Sequence, residues 1–349
     1  METTKEYKTN TIAIISDGSA MAAAAAEAAL PAMAEIAILC KEFGDVSAFP
    51  ICLATQDAEE IINTVKNISP TFCGIDLEGI EAPKCFEVEQ RLAEELDIPV
   101  FSGGGYGTAI VVCAAVINAF RLLGKPLAEV RAVVCGAGAA GNRIAKMLIK
   151  LGVRDIVVCD SKGILNASRI PEFGEDKLEL IEITNIEGLS GGLEEAVKDR
   201  DLFVGVSKGG VLTESMVSSM AEGPVILALS SPVPEILPER AKAAGARIAM
   251  AGVAQDKGTV LLSSFADDDR TKEPSLCLFS NALAFPGVFK GAINAGIIKF
   301  NDEMYVAAAY AIAALVTDEE LSEDMILPSV LLEGIAEAVA KAVAESATA

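Results

Sequence analysis

Gly136, Gly138 and Gly141 stand in the spacing G-x-G-x-x-G. The apolar run Ala132-Val133-Val134-Cys135 leads into them, and a helical pattern from Arg143 to Leu151 follows. A strand that turns into a helix this way is built for a pyrophosphate. The first glycine makes the tight turn, the second lets the backbone approach the anion, and the third packs the helix on the sheet. Ala139 and Ala140 sit at the mouth of that helix, where backbone N–H groups face negative charge. The next apolar run, Ile156 to Cys159, ends in Asp160, a carboxylate placed to accept ribose hydroxyls. The pattern predicts a bound dinucleotide. Asp160 favours NAD, since a carboxylate repels a 2′-phosphate, while Lys162 two positions on also admits NADP. Gly205-Val206-Ser207-Lys208-Gly209-Gly210 closes another strand at the same edge. It makes Ser207 a further cofactor contact, unless the segment is simply a turn.

Composition removes other chemistries. The chain has no histidine and no tryptophan, which excludes Ser-His-Asp triads, Cys-His pairs and histidine metal sites. Catalysis is left to carboxylates, lysine, tyrosine, thiols or a cofactor. With 28 basic and 50 acidic residues the net charge is −22, a surface that repels nucleic acid and anionic membranes. The 8 cysteines form no CxxC pair and several lie in apolar runs, the pattern of reduced, buried thiols. The longest uncharged run, Ile98 to Phe120, is glycine-rich in its first half, and the about 14 apolar residues left are too few to span a bilayer. Met1 to Asn10 is polar, without a signal-peptide core. A cytoplasmic protein is expected.

The elements that must hold these residues alternate between short branched runs and longer helical patterns. Strands are predicted at Ile12 to Ile15, Ala48 to Leu53, Gly74 to Leu77, Val100-Phe101, Val130 to Cys135, Asp155 to Asp160, Leu202 to Val206 and Val225 to Leu229. Helices are predicted from Ala20 to Phe43, at Asp57 to Ile68, Pro83 to Leu96, Thr108 to Leu123 and Gly191 to Val197, and, near the end, at Ala307 to Val316 and Val330 to Ala347. This is an α/β fold with mostly parallel sheets, and 349 residues suggest two domains.

Read together, several segments resemble the bacterial and archaeal malic enzymes. They are Ser16-Asp17-Gly18, Ala48 to Leu53, Gly74 to Glu78, Ala82 to Glu87, Gly107 to Ile110, Gly136 to Gly141, Pro232 to Glu235 and Leu283 to Gly287. They occur in family order along nearly the whole chain. The resemblance implies a parallel-sheet substrate-type domain over residues 1–104, a doubly wound Rossmann NAD(P) domain over 105–280, and a helical C-terminal part, 281–349, returning to the first domain. It also implies a homodimer, and places Ser231 and Asn281 on the cofactor side.

The family oxidises and decarboxylates malate with a divalent metal held by three carboxylates, a lysine base and a tyrosine. Measured against that pattern, the chain is short at its N-terminus and its active site is degraded. Glu78 occupies the first ligand position, but Gly79 stands where a carboxylate is expected. Gly103-Gly104 replaces an aspartate pair, and Ile36 aligns with the lysine. The asparagines expected before Pro232 and Asn281 are Ser231 and Ser280. One carboxylate cannot hold Mg²⁺ or Mn²⁺, so no divalent metal is expected and Glu78 is a relic ligand position.

Three readings follow. The chain is a dinucleotide-binding pseudoenzyme with a regulatory or assembly role. Alternatively it is an oxidoreductase acting on a small hydroxy or oxo acid without metal, with Glu78 and Tyr106 handling protons. In the third, a separate subunit completes a malic enzyme. The run Ser102-Gly103-Gly104-Gly105-Tyr106-Gly107 either opens the pocket to another ligand or fills space once held by carboxylates. Lys41 and Lys84 read as solvated helix residues. The segment Val253 to Ser280, with a strand at Thr259 to Phe265 and the triplet Asp267-Asp268-Asp269, reads as a lid, an assembly arm or a solvated loop.

Overall fold

Ile12, Ala13, Ile14 and Ile15 are all fully buried, as only a strand paired on both edges and covered on both faces can be. In the computed structural model, which describes residues 10–21, 26–252 and 279–347, they form β1 (Thr11–Ser16). It runs parallel to β2 (Ser47–Cys52) on one side and β3 (Gly74–Leu77) on the other. β4 (Val100–Ser102) joins β3, giving the order β2-β1-β3-β4. The crossovers are α1 (Leu30–Gly44), α2 (Ala58–Ile68) and α3 (Lys84–Glu95). α2 starts where it does because the Asp57 carboxylate accepts the Glu60 N–H at 3.0 Å. Its apolar face buries Ile61, Ile62 and Val65. Phe101 of β4 meets Phe285, Phe289 and Phe300 edge-on at 5.7, 5.8 and 5.7 Å, which anchors the carboxyl end of β4.

α4 (Thr108–Leu123) carries the chain into a second sheet. Gly103–Leu123 is long and apolar enough to cross a membrane by length and composition, yet 67% of its most apolar window is buried inside the protein. The second sheet contains β5 (Arg131–Cys135), β6 (Asp155–Asp160), β7 (Gly163–Ile164), β8 (Leu202–Gly205), β9 (Val225–Ala228) and β10 (Ile248–Ala251), in the order β10-β9-β8-β5-β6-β7. All pairings are parallel except β6 with β7. The order reverses at β5, whose neighbours are β6 and β8. That is the switch point at whose carboxyl edge ligands gather in open α/β sheets. α5 (Ala139–Lys150) leaves from there.

The described residues fall into two compact units. One holds those up to Ile110, Asn281–Ile312 and those from Leu332 on; the other holds those between Val111 and Ser280 together with Ala313–Leu331. Ala313–Leu331 is therefore not part of the returning segment that the sequence suggested. The Asn118 amide donates to the carbonyls of Ala313 and Ile326, both at 3.0 Å, and Arg121 donates to that of Val316 at 2.7 Å.

Other boundaries moved as well. The expected helix Ala307 to Val316 spans Asp302–Ala314, since Asp302 and Glu303 suit the positive end of a helix. The expected Val330 to Ala347 helix begins only after Gly334, which sits at φ +87°, and spans Ile335–Ser346. Phe285–Ala295 is a further helix, with Pro286 in its first turn. β10 escaped the sequence reading because its run Ile-Ala-Met-Ala has only one branched residue. Of the expected helix from Ala20, Ala26–Ala29 is a 3₁₀ turn and the α-helix starts at Leu30. Residues 22–25, the strand expected at Thr259 to Phe265, the aspartate triplet and Cys277 lie outside the described residues.

Candidate functional site

In the first unit, side chains two apart on a strand share a face, and this places Asp76 and Glu78 together at the carboxyl end of β3. Asp76 is completely buried. Its Oδ1 accepts the Gly103 N–H at 3.0 Å, while its Oδ2 and Glu78 Oε1 are buried without a hydrogen-bond partner. Burial, then the neighbouring Glu78 charge, pushes the Asp76 carboxyl well up. Burial pushes Glu78 up to about 8. Two carboxylates in one dry site cannot both stay ionised, so the pair retains a proton at neutral pH. Asp76 was not among the sequence candidates; its spacing of two from Glu78 on a predicted strand was the available signal.

The glycines opposite are shaped by this pair. Gly103–Gly107 forms a wide π-type turn ahead of α4, a feature frequent at functional sites. A Cβ at Gly103 would lie 2.0 Å from Glu78 Oε1 and 3.0 Å from Asp76 Oδ1. The Glu78 carboxyl thus occupies space that a side chain at 103 needs. Asn281 braces the turn, donating to the Gly103 carbonyl at 3.2 Å and accepting the Thr108 hydroxyl at 3.2 Å. Its amide is thus engaged within the first unit. Tyr106 stacks on Tyr305 with ring centroids 4.0 Å apart. Both line a cavity of about 220 Å³ with Phe300 and Lys299.

Two lysine positions resolve differently. Lys84 is not solvated: it pairs with the buried Asp17 carboxylate and donates to the Gln56 carbonyl at 3.0 Å. An uncompensated charge at Asp17 would be costly there. Lys41 is exposed and pairs with Asp45 four residues on, as a solvated helix residue does. Ile36 packs against the cluster of Ile14, Ala29 and Met33, an apolar setting. Among the described residues no three carboxylates or thiols converge on one point.

In the second unit, the fingerprint closes as a turn. Gly136 sits at φ +121°, and a Cβ there would lie 2.6 Å from the Val206 carbonyl oxygen. At Gly141 a Cβ would lie 1.8 Å from the Gly136 oxygen, so the helix can approach the turn only as glycine. At Gly138 a Cβ would meet nothing within 4 Å, which leaves an open side. Gly138 caps α5 without a side chain, so N–H groups of the first turn, at Ala139 and Ala140, keep their donors outward. These residues fit a pyrophosphate.

Ser207 flanks the turn at the switch point. It shares a hydrogen bond with Cys135 Sγ at 3.3 Å, and its N–H donates to the buried Glu235 at 2.8 Å. Glu235 also accepts the Ser230 N–H at 3.1 Å, which fixes the loop bearing the exposed Ser231. Asp160 and Lys162 end β6 next door, where the Gly136 N–H donates to the Cys159 carbonyl at 2.8 Å. The structure therefore brings Gly136, Gly138, Ala139, Ala140, Gly141, Asp160, Lys162, Ser207 and Ser231 to one sheet edge. It adds Arg169 and Lys177 around Asp160, which sequence spacing could not supply because they approach from the loop and helix beyond β7.

A sequence model described as "Malic enzyme, NAD binding domain" matches residues 106–348. The bifunctional malic/malolactic enzyme of Bacillus subtilis (strain 168) is 43% identical over 97% of this chain and 79% of its own. The chain belongs to the malic enzyme family. Another family relative, the NAD-dependent malic enzyme of Geobacillus stearothermophilus, is 41% identical over 97% of this chain and 67% of its own. The crystal structure of the NAD-dependent malic enzyme from Thermotoga maritima superposes with a TM-score of 0.86 at 42% identity, over 98% of this chain and 86% of that one. The malic enzyme fold, with its NAD-binding oxidoreductase architecture, is thus the frame in which both sites are set.

Proposed function

We propose that this family member binds a nicotinamide dinucleotide in its second unit and does not carry out metal-dependent oxidative decarboxylation of malate. Its role in this reading is regulatory or one of assembly. The observation that carries it is the Asp76–Glu78 pair. A divalent ion in such a family needs several oxygen ligands held open toward it. Here one Asp76 oxygen is committed to the Gly103 N–H, the Glu78 carboxyl lies against the Gly103 backbone, and among the described residues no third carboxylate converges. The donor set does not fit the ion. Nor does a base fit at Ile36, which packs among apolar side chains.

The nucleotide does fit. Gly136 and Gly141 set the turn, Gly138 leaves the approach open, and the first-turn N–H groups of α5 face the pyrophosphate. A bound nicotinamide ring supplies hydride acceptance. Ser207 and Ser231 border the same sheet edge. A homodimer belongs to this reading and is supported by apolar side chains at the surface: Phe49 on the edge strand β2 is 64% exposed, and Leu30 and Ile38 of α1 are 45% and 41% exposed.

A second reading, metal-independent oxidoreduction of a small hydroxy or oxo acid, is favoured by Glu78 alone. A carboxyl held near 8 exchanges protons at neutral pH, as a general acid or base must. Calorimetric titration with dinucleotide and with malate, each with and without Mn²⁺, tests the proposal. Dinucleotide binding with no Mn²⁺-linked malate binding is expected. Tight malate binding that requires Mn²⁺ overturns it. For the second reading, turnover unchanged in Tyr106→Phe removes the proton role of Tyr106.

A further inference from the structure

The cavity beside Tyr106 is lined by residues of the first unit alone. One wall is aromatic. Tyr106 stacks on Tyr305 with centroids 4.0 Å apart and ring planes 29° apart, and the Phe300 ring stands 5.8 Å from that of Tyr305. All three rings line the space. The fully buried Phe101 packs on two of them, 5.7 Å from Phe300 and 5.9 Å from Tyr305. The wall is therefore held by the core of the unit and is formed before any ligand arrives.

Charge sorts the rest of the lining. Glu89 and Glu94 come from α3, and Asp302 from the first turn of the helix Asp302–Ala314; the one cation among them is Lys299. Three carboxylates against one ammonium leave two negative charges in excess. Neighbouring charges do not offset them. Arg91 of α3 is shared by Glu59, Glu87 and Glu95, Lys66 of α2 pairs with Glu95, and Lys84 pairs with Asp17. Glu303, next to Asp302, adds another acid. The start of the helix is closed as well, since Asn301 Oδ1 accepts the Met304 N–H at 2.9 Å.

Aromatic faces carry negative potential and attract cations, and the carboxylates beside them have the same sign. An anion would meet three like charges. A neutral apolar guest would cover the carboxylates without answering them. At about 220 Å³, the cavity falls below the range of about 300–1,000 Å³ that suits drug-sized ligands, so its guest is small. We propose that it binds a small organic cation of the alkyl- or quaternary ammonium class. The carbon groups of that cation lie against Tyr106, Phe300 and Tyr305, and its charge lies among Glu89, Glu94 and Asp302. Tyr106 belongs to the Gly103–Gly107 turn, whose Gly103 N–H holds Asp76. An occupied cavity thus bears on the same short segment that holds the buried carboxyl pair. The inference does not rest on the dinucleotide reading.

Calorimetric titration of the full chain at constant ionic strength tests it with three probes. They are choline, the uncharged alcohol in which carbon replaces the choline nitrogen, and benzoate, an anion of similar size. Choline is expected to bind at least about ten-fold more tightly than the alcohol, the worth of a partly desolvated cation–π contact, and benzoate is expected not to bind. Tyr106→Leu and Glu94→Gln each lower choline affinity, by about three- to ten-fold. Tyr106→Phe keeps it, since the ring meets the cation and the hydroxyl does not. Glu94 is exposed, so Glu94→Gln keeps the parent's melting temperature and reads binding alone. Choline bound no more tightly than the alcohol, or less tightly than benzoate, overturns the proposal. So does a choline affinity unchanged in both Tyr106→Leu and Glu94→Gln.

Discussion

Gly103 and Glu78 compete for the same space: a Cβ on the first would stand 2.0 Å from Oε1 of the second. The carboxyl has folded down onto the backbone of the turn, and the turn tolerates it only because residue 103 has no side chain. Glycine here is a packing requirement of the buried Asp76–Glu78 pair, and the mutual fit of the three residues is what closes the site.

Substitution at that contact measures the fit. Gly103→Ala is expected to lower stability by about 1–3 kcal/mol, the usual range for overpacking a closed site. Gly104→Ala, whose Cβ would lie 3.2 Å from Glu78 Oε2, costs clearly less. Urea denaturation of both variants at neutral pH makes the comparison. Equal midpoints for Gly103→Ala and the parent chain would contradict the geometry.

The same pair makes stability depend on pH. The folded-state value of Glu78 is raised from 4.5 to about 8, and that of Asp76 is raised too. The folded protein then holds protons that the unfolded chain has released. The pair's contribution to stability is complete below the unfolded-chain values and is lost as pH rises toward 8, by about 1.4 kcal/mol per pH unit for each proton held. Cys40, whose thiol is pushed up by burial and by both carboxylates, faces the pair from α1 and acts in the same direction above that window. Thermal unfolding from pH 5 to 8 should show the decline, and Glu78→Gln should flatten it.

At the nucleotide turn two glycines separate binding from folding. Gly141→Ala drives a Cβ into the Gly136 carbonyl and is expected to damage stability and nucleotide binding together. Gly138→Ala meets nothing within 4 Å. Its melting temperature should match the parent, since unhindered substitutions stay within about 0.5 kcal/mol, while dinucleotide affinity falls. Differential scanning fluorimetry with and without nucleotide distinguishes the two.

Phe49 reports on association. An aromatic ring 64% exposed on an edge strand invites cover from a second chain. Phe49→Glu is expected to shift the protein from dimer to monomer in light scattering after size-exclusion chromatography. A monomeric parent would refute the dimer.

Much of this was legible in the residues. The strand–glycine–helix unit around Gly136 was readable because its turn is local: three glycines, one strand before and one helix after determine it. The α/β alternation was readable for the same reason, since periodicity reports burial on each element. The short strand Ile248–Ala251 and the helix Phe285–Ala295 were not, because Ile-Ala-Met-Ala has only one branched residue and a proline and a glycine stand in the first turn of that helix. Lys84 looked solvated because its partner, the buried Asp17, lies just past the end of β1, brought close only by sheet assembly.

The sequence by itself determined the family and the strand–glycine–helix turn, and it set glycine at 79, 103 and 104 and isoleucine at 36, since each depends on residue identity along a short stretch. Tertiary structure alone decided what the surviving acids do. Asp76 and Glu78 hold a proton between them because the fold dries the site around them. Asp160 is held by Arg169 and Lys177, which the fold brings to its oxygens from beyond β7. The chemistry of a carboxylate depends on which charges and donors surround it, and those arrive through packing.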